Sequence, residues 1–370
     1  MTSIWSRDAV AAIADRPIAR LPTIAPQTVR PILPGIDLWD YWPVQEHDGC
    51  PALIGGGALQ MLLSAPKLSD PEQRHAIARI RLMHQTSQGW RDLGDLMPDD
   101  LAPGSREWSG SAIVTPAHDR VTLFFTAAGH RGEAKVSFDQ RLFETSAALS
   151  IVAGEPRLTD WAPPIESVIA DGHIYSREMT GGGGIGTIKA FRDPAWFRDP
   201  ANGIEYLTFA ASLAQSDSAW NGAVGLARRV DGDWALCPPL ITAVGVNNEL
   251  ERPHIVYHAG RYYCFWSTQR KVFAAGGPAG PTGLYGMVAE SLDGPWRPLN
   301  RSGLVFANPV GAALQAYSWL VLGDLTVLSF IDRPGLAEEP IDREEARRHF
   351  GGTPAPLARL ALDADRAMLA

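Results

Sequence analysis

Glycine and proline punctuate this chain at short intervals, 36 and 29 times in 370 residues, and leave room only for brief segments. In a helix interior each glycine costs about 1 kcal/mol and each proline about 3 kcal/mol relative to alanine, so long helices are excluded over most of the length. Between these breakers lie apolar runs of four to eight residues at 111–114, 121–127, 148–152, 206–211, 254–257, 262–267 and 325–331. Such runs, bounded by turn residues, are strands, and many in succession build a sandwich, a barrel or a propeller. Helical spacing is confined to 6–14 and 342–350, near the two ends. The stretch 139–186 has the least pattern and ends in four glycines, 181–184, which read as a loop. A phosphate-binding loop would add Lys-Ser/Thr and a following helix, and neither is present. No repeat of fixed length is visible, and no polar linker divides the chain, so one domain over residues 1–370 is expected.

Charge narrows the partners. The formal net charge is −8 and Lys and Arg form no stripe, which argues against nucleic acid, where a basic face must neutralise phosphates. No apolar run approaches the roughly 20 residues that cross a bilayer, so no membrane partner is expected. The first 20 residues lack an apolar core followed by small residues, so no signal peptide is apparent; residence in the cytoplasm, or export without a cleaved signal, is the expectation. Cys50, Cys237 and Cys264 are too dispersed for a disulfide framework or a zinc site and read as buried apolar filler. The expected ligand is small and neutral.

Four segments concentrate Trp with carboxylates and Arg: DLWDYWP at 37–43, EWSGS at 107–111, FRDP at 191–194 and NNELERP at 247–253. An aromatic face packs on the C–H side of a sugar ring while carboxylates accept from its hydroxyls, and two carboxylates can serve as acid and nucleophile. Each segment has a plainer reading alone. Asp193-Pro194 is an ordinary turn pair, Glu251-Arg252 an ordinary ion pair, and Trp39 and Trp42 ordinary core aromatics.

Together and in this order, the segments resemble the levansucrase family, glycoside hydrolase family 68, over about residues 4–362. Supporting stretches are 234–254, GLYG at 283–286, PLNRSG at 298–303, QAYS at 315–318 and SFID at 329–332, which are similar to the shorter, Gram-negative type. The resemblance implies an all-β, five-bladed β-propeller with a central funnel-shaped active site, on which residues 1–30 pack as an N-terminal extension. It implies a substrate, sucrose, and sugar acceptors, with no cofactor. Asp40 would be the nucleophile, Glu251 the acid/base and Asp193 the transition-state stabiliser. Trp39, Trp108 and Ser109 would form the fructosyl subsite; Arg192, Glu249, Arg252 and Tyr317 would form the glucosyl side. In a retaining mechanism the two reacting carboxyls stand roughly 5 to 5.5 Å apart. Asp40 is then expected to stay ionised, helped by Ser109 or an arginine, while Glu251 holds a proton. A second FRDP, at 197–200, competes for the stabiliser's place. It runs into the turn sequence 201–203, so Asp193 is chosen and Asp199 is expected on a surface loop.

Three departures from the family matter. Polymer-forming members carry His or Arg where Gln269 stands, so a weaker hold on acceptors and shorter products are expected, unless Arg270 swings into the role. The calcium-binding members have Asp where Asn248 stands, so no metal is expected. The family's Phe-Glu-Gly or Phe-Glu-Ala reads Phe209-Ala210-Ala211 here, without the carboxylate. The competing functions are a β-fructofuranosidase with little transfer and, more remotely, a sugar-binding propeller without catalysis. Linkage, product length and oligomeric state are not legible.

Overall fold

Strands form wherever this sequence runs apolar between turn residues, and they assemble in chain order. The computed structural model describes residues 2–178 and 189–370, in which the chain is mostly strand and turn. The glycine run 181–184 lies outside the described residues. Five antiparallel meanders follow one another. The first comprises Ile36–Gln45, Gly57–Pro66, Arg79–Thr86 and Gly89–Asp95. The second comprises Arg106–Val114, Arg120–Ala128, Gln140–Val152 and Glu155–Thr159. The third is Phe191–Arg198, Glu205–Ser212, Gly222–Val230 and Asp233–Thr242. The fourth is Glu251–His258, Arg261–Thr268 and Gly283–Ala289, edged by Arg297–Pro298 and Leu304–Ala307. The fifth is Ala316–Val321, Thr326–Ile331, Ala358–Asp363 and Arg366–Leu369.

The first strand of each meander faces the first strands of its neighbours. Ile36–Gln45 packs on Arg106–Val114, that strand on Phe191–Arg198, the next on Glu251–His258, and the last on Ala316–Val321. Contacts between Ile36–Gln45 and Thr326–Ile331 close the ring. The first and second meanders also share a short parallel pairing, Val44 with Ala112 and Gln45 with Ile113, so two meanders merge into one continuous sheet.

All seven expected strand runs fall in or against observed strands; the last starts one residue later, at Thr326, because Leu325 turns with φ 67°. The stretch 139–186 corrects the reading of little pattern: it holds Gln140–Val152, Glu155–Thr159 and Ile165–Val168. Phe143, Thr145, Ala147 and Leu149 do alternate inward there, but the buried Thr145 and the half-buried Ala148 between them blur the contrast of apolar and polar positions. Helices form within both expected segments, each with a side-chain cap. The Ser6 hydroxyl accepts from the Ala9 amide at the start of Arg7–Ala11, and the Asp342 carboxylate accepts from Glu345 at the start of Arg343–His349.

Aromatic residues fill the spaces between sheets. Trp39, Trp42, Trp266 and Trp319 are almost wholly buried. Trp5 is as well, wedged against Trp266, Phe273 and Tyr285, with its indole N–H donated to the Ser302 carbonyl at 2.9 Å. Ser3–Ile4 pairs in parallel with residues 241–242, and Gln315 binds the backbone of Pro22 and Ile24. The first 24 residues are thereby tied to the third, fourth and fifth meanders. Of the cysteines, only Cys264 is the buried filler expected; Cys50 and Cys237 are partly exposed, and all three are free.

Candidate active site

A strand that runs without interruption points alternate side chains to opposite faces and cannot aim consecutive residues at one place. In the first strand of every meander the register shifts by a β-bulge: between Trp39 and Tyr41, Trp108 and Gly110, Arg192 and Ala195, Glu251 and His254, and Tyr317 and Leu320. The residues inside these shifts include Asp40, Ser109, Asp193, Arg252 and Ser318. Four of them have left-handed backbone, with φ of 29° at Asp40, 61° at Asp193, 48° at Arg252 and 62° at Ser318. Such conformations in non-glycine residues cost about 1–3 kcal/mol each and cluster where side chains are being aimed. At the fifth shift Gly110 follows Ser109, and a Cβ there would lie 1.8 Å from the Phe124 carbonyl oxygen, so only glycine lets the bulge close. Pro194 and Pro253 sit at bulges too, where the lost N–H has no ladder partner to miss.

The bulges converge on a pocket of about 430 Å³, and all eleven residues singled out from the sequence line it: Trp39, Asp40, Trp108, Ser109, Arg192, Asp193, Glu249, Glu251, Arg252, Gln269 and Tyr317. A second cavity of similar volume shares only Asp193 and Arg252 with it and contains neither Asp40 nor Glu251. Asp199 belongs to that second cavity. It is a turn residue as expected, yet it is buried, its carboxylate accepting from the Tyr262 hydroxyl at 2.6 Å and the Ala201 amide at 2.9 Å, so the surface placement is corrected.

Arg192 organises the carboxylates. Its Nη2 lies 2.5 Å from Glu249 and 2.9 Å from Glu251, and its Nε 3.6 Å from Asp193. The Tyr317 hydroxyl donates to the other oxygen of Glu251. Ser109 donates to Asp193 at 2.9 Å and stands 3.4 Å from Asp40. The Arg252 guanidinium donates to the Ser318 carbonyl and hydroxyl and to the Tyr41 carbonyl, each at 3.1 Å, and its charge acts on Asp40. The Trp108 indole N–H is occupied by the His75 carbonyl, whereas that of Trp39 is buried with no partner among the described residues.

Burial dominates the electrostatics. It raises Asp40, against the lowering pull of Arg252, a hydrogen bond from Ser318 and the charge of Arg74, with Glu251 adding to the rise. Burial therefore disfavours the charge of the carboxyl expected to be ionised. Asp193 is pushed up to about 6 by burial and by Glu251 and Asp40, against Arg192 and the Ser109 hydrogen bond. Glu249 is pushed up to about 7 by burial and Glu251, against Arg192. Asp40, Asp193, Glu249 and Glu251 thus face two buried arginines in one pocket, an arrangement of the kind found at reaction centres.

The sequence reading missed several lining residues. Arg74 sits over Trp39, 5.4 Å from its ring centroid, and over Phe350 at 4.4 Å. Gln140 accepts from the Phe191 amide and orients Arg192. Asp332 and Arg333 close the rim, and Lys271 reaches the pocket wall where Arg270 was the expected substitute; Arg270 faces a neighbouring groove instead. Asp332 had a signal, its place in the SFID run at 329–332; the others stand alone in sequence.

The chain matches the levansucrase/invertase family over residues 1–222 and 214–370. Levansucrase LscA of Pseudomonas savastanoi pv. glycinea is 30% identical, with 99% of this chain and 94% of that protein aligned. The levansucrase of Erwinia amylovora is 29% identical over 99% and 94%. Among solved structures, the inulosucrase of Halalkalicoccus jeotgali bound to kestose is 37% identical, with a TM-score of 0.89 over 100% of this chain and 95% of that one. The levansucrase of Gluconacetobacter diazotrophicus, 23% identical, has the same fold, with a TM-score of 0.84 over 100% and 90%.

Proposed function

This chain belongs to the levansucrase/invertase family, glycoside hydrolase family 68, and from that premise we propose that it cleaves sucrose at Asp40, Asp193 and Glu251 and passes the fructosyl unit to water or a sugar. It is a levansucrase-type fructosyltransferase. The observation that carries the residue assignment is the convergence of these three carboxyls, each from a different meander, on one pocket gripped by Arg192. The five meanders are read as the blades of one propeller domain, with the pocket on its axis and the bulges as the device that turns side chains toward it.

Asp40 attacks the anomeric C2 of the fructosyl unit while Glu251 gives its proton to the oxygen leaving with glucose. The product is a fructosyl ester on Asp40 and a Glu251 carboxylate. That carboxylate then takes the proton of an incoming water or sugar hydroxyl, whose oxygen displaces Asp40 from C2 and restores both groups. Asp193 accepts hydrogen bonds from fructosyl hydroxyls, strengthening as positive charge grows on the ring. The free Trp39 indole N–H is a donor ready for a sugar oxygen, and the Trp108 ring, its own N–H already bound, offers a face to C–H groups. A developing cation at C2 offsets the burial that disfavours the charge of Asp40.

Gln269 lines the pocket with a neutral amide, which supports water and short acceptors over a growing polymer. The test is the product ratio from sucrose. Free fructose below free glucose at high sucrose marks transfer, and a ratio of one at all concentrations overturns it in favour of a β-fructofuranosidase. Unchanged glucose release by Glu251→Ala would remove that residue from its role.

A further inference from the structure

At a β-bulge the skipped residues lose their ladder partners, and their buried backbone polar groups have to be satisfied elsewhere. In the bulge that follows Glu251, side chains do this. Arg252 and Pro253 fall inside the register shift, between Glu251, paired with Ser267, and His254, paired with Phe265. The Arg252 amide donates to Asp193 at 3.3 Å, and Pro253 has no N–H to satisfy. The Arg252 carbonyl accepts from the His254 ring at 2.8 Å, and the Pro253 carbonyl accepts from the Thr208 hydroxyl at 2.7 Å. His254 and Thr208 are both buried.

Both nitrogens of the His254 ring are committed. Nε2 lies 2.8 Å from the Val321 amide, which can only donate, so Nε2 carries the lone pair and Nδ1 the hydrogen that meets the Arg252 carbonyl. One neutral tautomer makes both bonds. Burial lowers its pKa to about 4, against the pull of the bond to Arg252. The ring thereby ties the bulge to Ala316–Val321 of the fifth meander, and Thr208 ties it to Glu205–Ser212 of the third. His254 lines the second cavity and not the catalytic pocket, and Thr208 lines neither. Any effect of the two on the reaction therefore passes through the bulge.

Arg252 holds a φ of 48°, a backbone state that persists only where its surroundings over-determine it. Glu251 leads into this bend with its carboxylate 2.9 Å from Arg192, and the Arg252 amide leaves it toward Asp193. A tilt of these peptides would move the acid and a donor to the stabiliser together. We propose that His254 and Thr208 are positioning residues: by holding the Arg252 and Pro253 carbonyls they fix the direction of Glu251 and keep the Arg252 amide on Asp193. The proposal rests on the roles given above to Glu251 and Asp193.

Variants that keep or remove one bond at a time test this. Thr208→Ser keeps the hydroxyl, and Thr208→Val removes it at nearly the same shape. His254→Asn sets an amide donor near the place of Nδ1, whereas His254→Gln sets an acceptor oxygen near that of Nε2 and loses the hold on Arg252. For all four, kcat and KM for glucose release from sucrose are measured beside urea unfolding. Trp5→Ala, destabilised far from the bulge, is the control. A misplacement of about 1 Å costs catalysis on the order of 10²-fold, so Thr208→Val and His254→Gln should lower kcat about ten-fold or more with KM within about two-fold. Thr208→Ser and His254→Asn should stay within about three-fold of the wild type, and Trp5→Ala should keep its kcat. Equal kcat in the Ser and Val variants, or in the Asn and Gln variants, overturns the proposal. So does a kcat that follows unfolding stability alone, Trp5→Ala included. Should His254→Gln not fold, the Thr208 pair decides. A wild type that releases no glucose from sucrose, or a Glu251→Gln that loses no activity, overturns the reading beneath the proposal instead.

Discussion

Ser109 donates its hydroxyl hydrogen to Asp193 across 2.9 Å. A serine has one such hydrogen, so the nearby oxygen of Asp40, at 3.4 Å, competes for it and receives the weaker share. The donor favours the charged form of Asp193 and partly opposes the burial that raises its pKa to about 6. Removing it in Ser109→Ala should push Asp193 higher. If an ionised Asp193 is needed to accept fructosyl hydroxyls, the acid limb of kcat/KM, which reports the free enzyme, should move up by about one pH unit. A pH profile of glucose release measures this; an unmoved acid limb would separate Asp193 from that limb.

Glu249 gives a stability test. Its pKa in the fold is about 7, raised first by burial and then by Glu251, from an ordinary value of 4.5. Between those values the folded chain holds a proton that the unfolded chain has released, so stability falls as pH rises through that window. The favourable contribution is complete below about 4.5 and lost above about 7. Glu249→Gln cannot ionise, and its melting temperature should decline less between pH 5 and pH 7.5 than that of the wild type, as read by calorimetry at matched ionic strength.

Glu251→Gln keeps the shape of the acid and removes its proton. Glucose release from sucrose should fall by about 10²- to 10⁴-fold, the usual worth of a general acid. A fructosyl donor with a leaving group that needs no protonation should recover much of the loss in the first half-reaction. Equal losses on both donors would mean that Glu251 has another task.

The N-terminal segment should matter for stability and not for chemistry. Trp5 is wholly buried against Trp266, Phe273 and Tyr285, far in sequence from every carboxyl in the pocket. Trp5→Ala should cost about 3–5 kcal/mol in urea unfolding, with the KM for sucrose unchanged at low temperature. A changed KM without lost stability would place this residue in contact with the pocket through the fourth meander.

Some of this was legible in the sequence and some was not, for identifiable reasons. Strands such as Arg120–Ala128 and Arg261–Thr268 announced themselves because apolar runs sit between turn residues. Asp40, Asp193 and Glu251 stand out only together, because the four segments rich in Trp, Arg and carboxylate occur in the order that the family shows. The backbone that aims them did not stand out. Alone, Asp193-Pro194 reads as a turn and Glu251-Arg252 as an ion pair, whereas both lie inside strands at bulges, and a bulge exists only relative to a partner strand that sequence order does not display. The network from Lys271 through Glu339 and Arg333 to Glu72 was invisible for the same reason: its members lie on segments up to 267 residues apart and meet only when the ring closes. Burial, which raises Asp40 against the pull of Arg252, is a factor that charge counting along a sequence cannot register.

The bulges have a consequence for how such a site can change. Each of Asp40, Ser109, Asp193, Arg252 and Ser318 falls where its strand skips the ladder, so replacing one alters a group facing the ligand without re-registering the sheet behind it. Five strands thus carry the same kind of irregularity where they meet the pocket, a set of sockets in the backbone although the sequence shows no repeat. New specificities in this scaffold are reached most directly by refitting a socket, with the remaining strands left as they are.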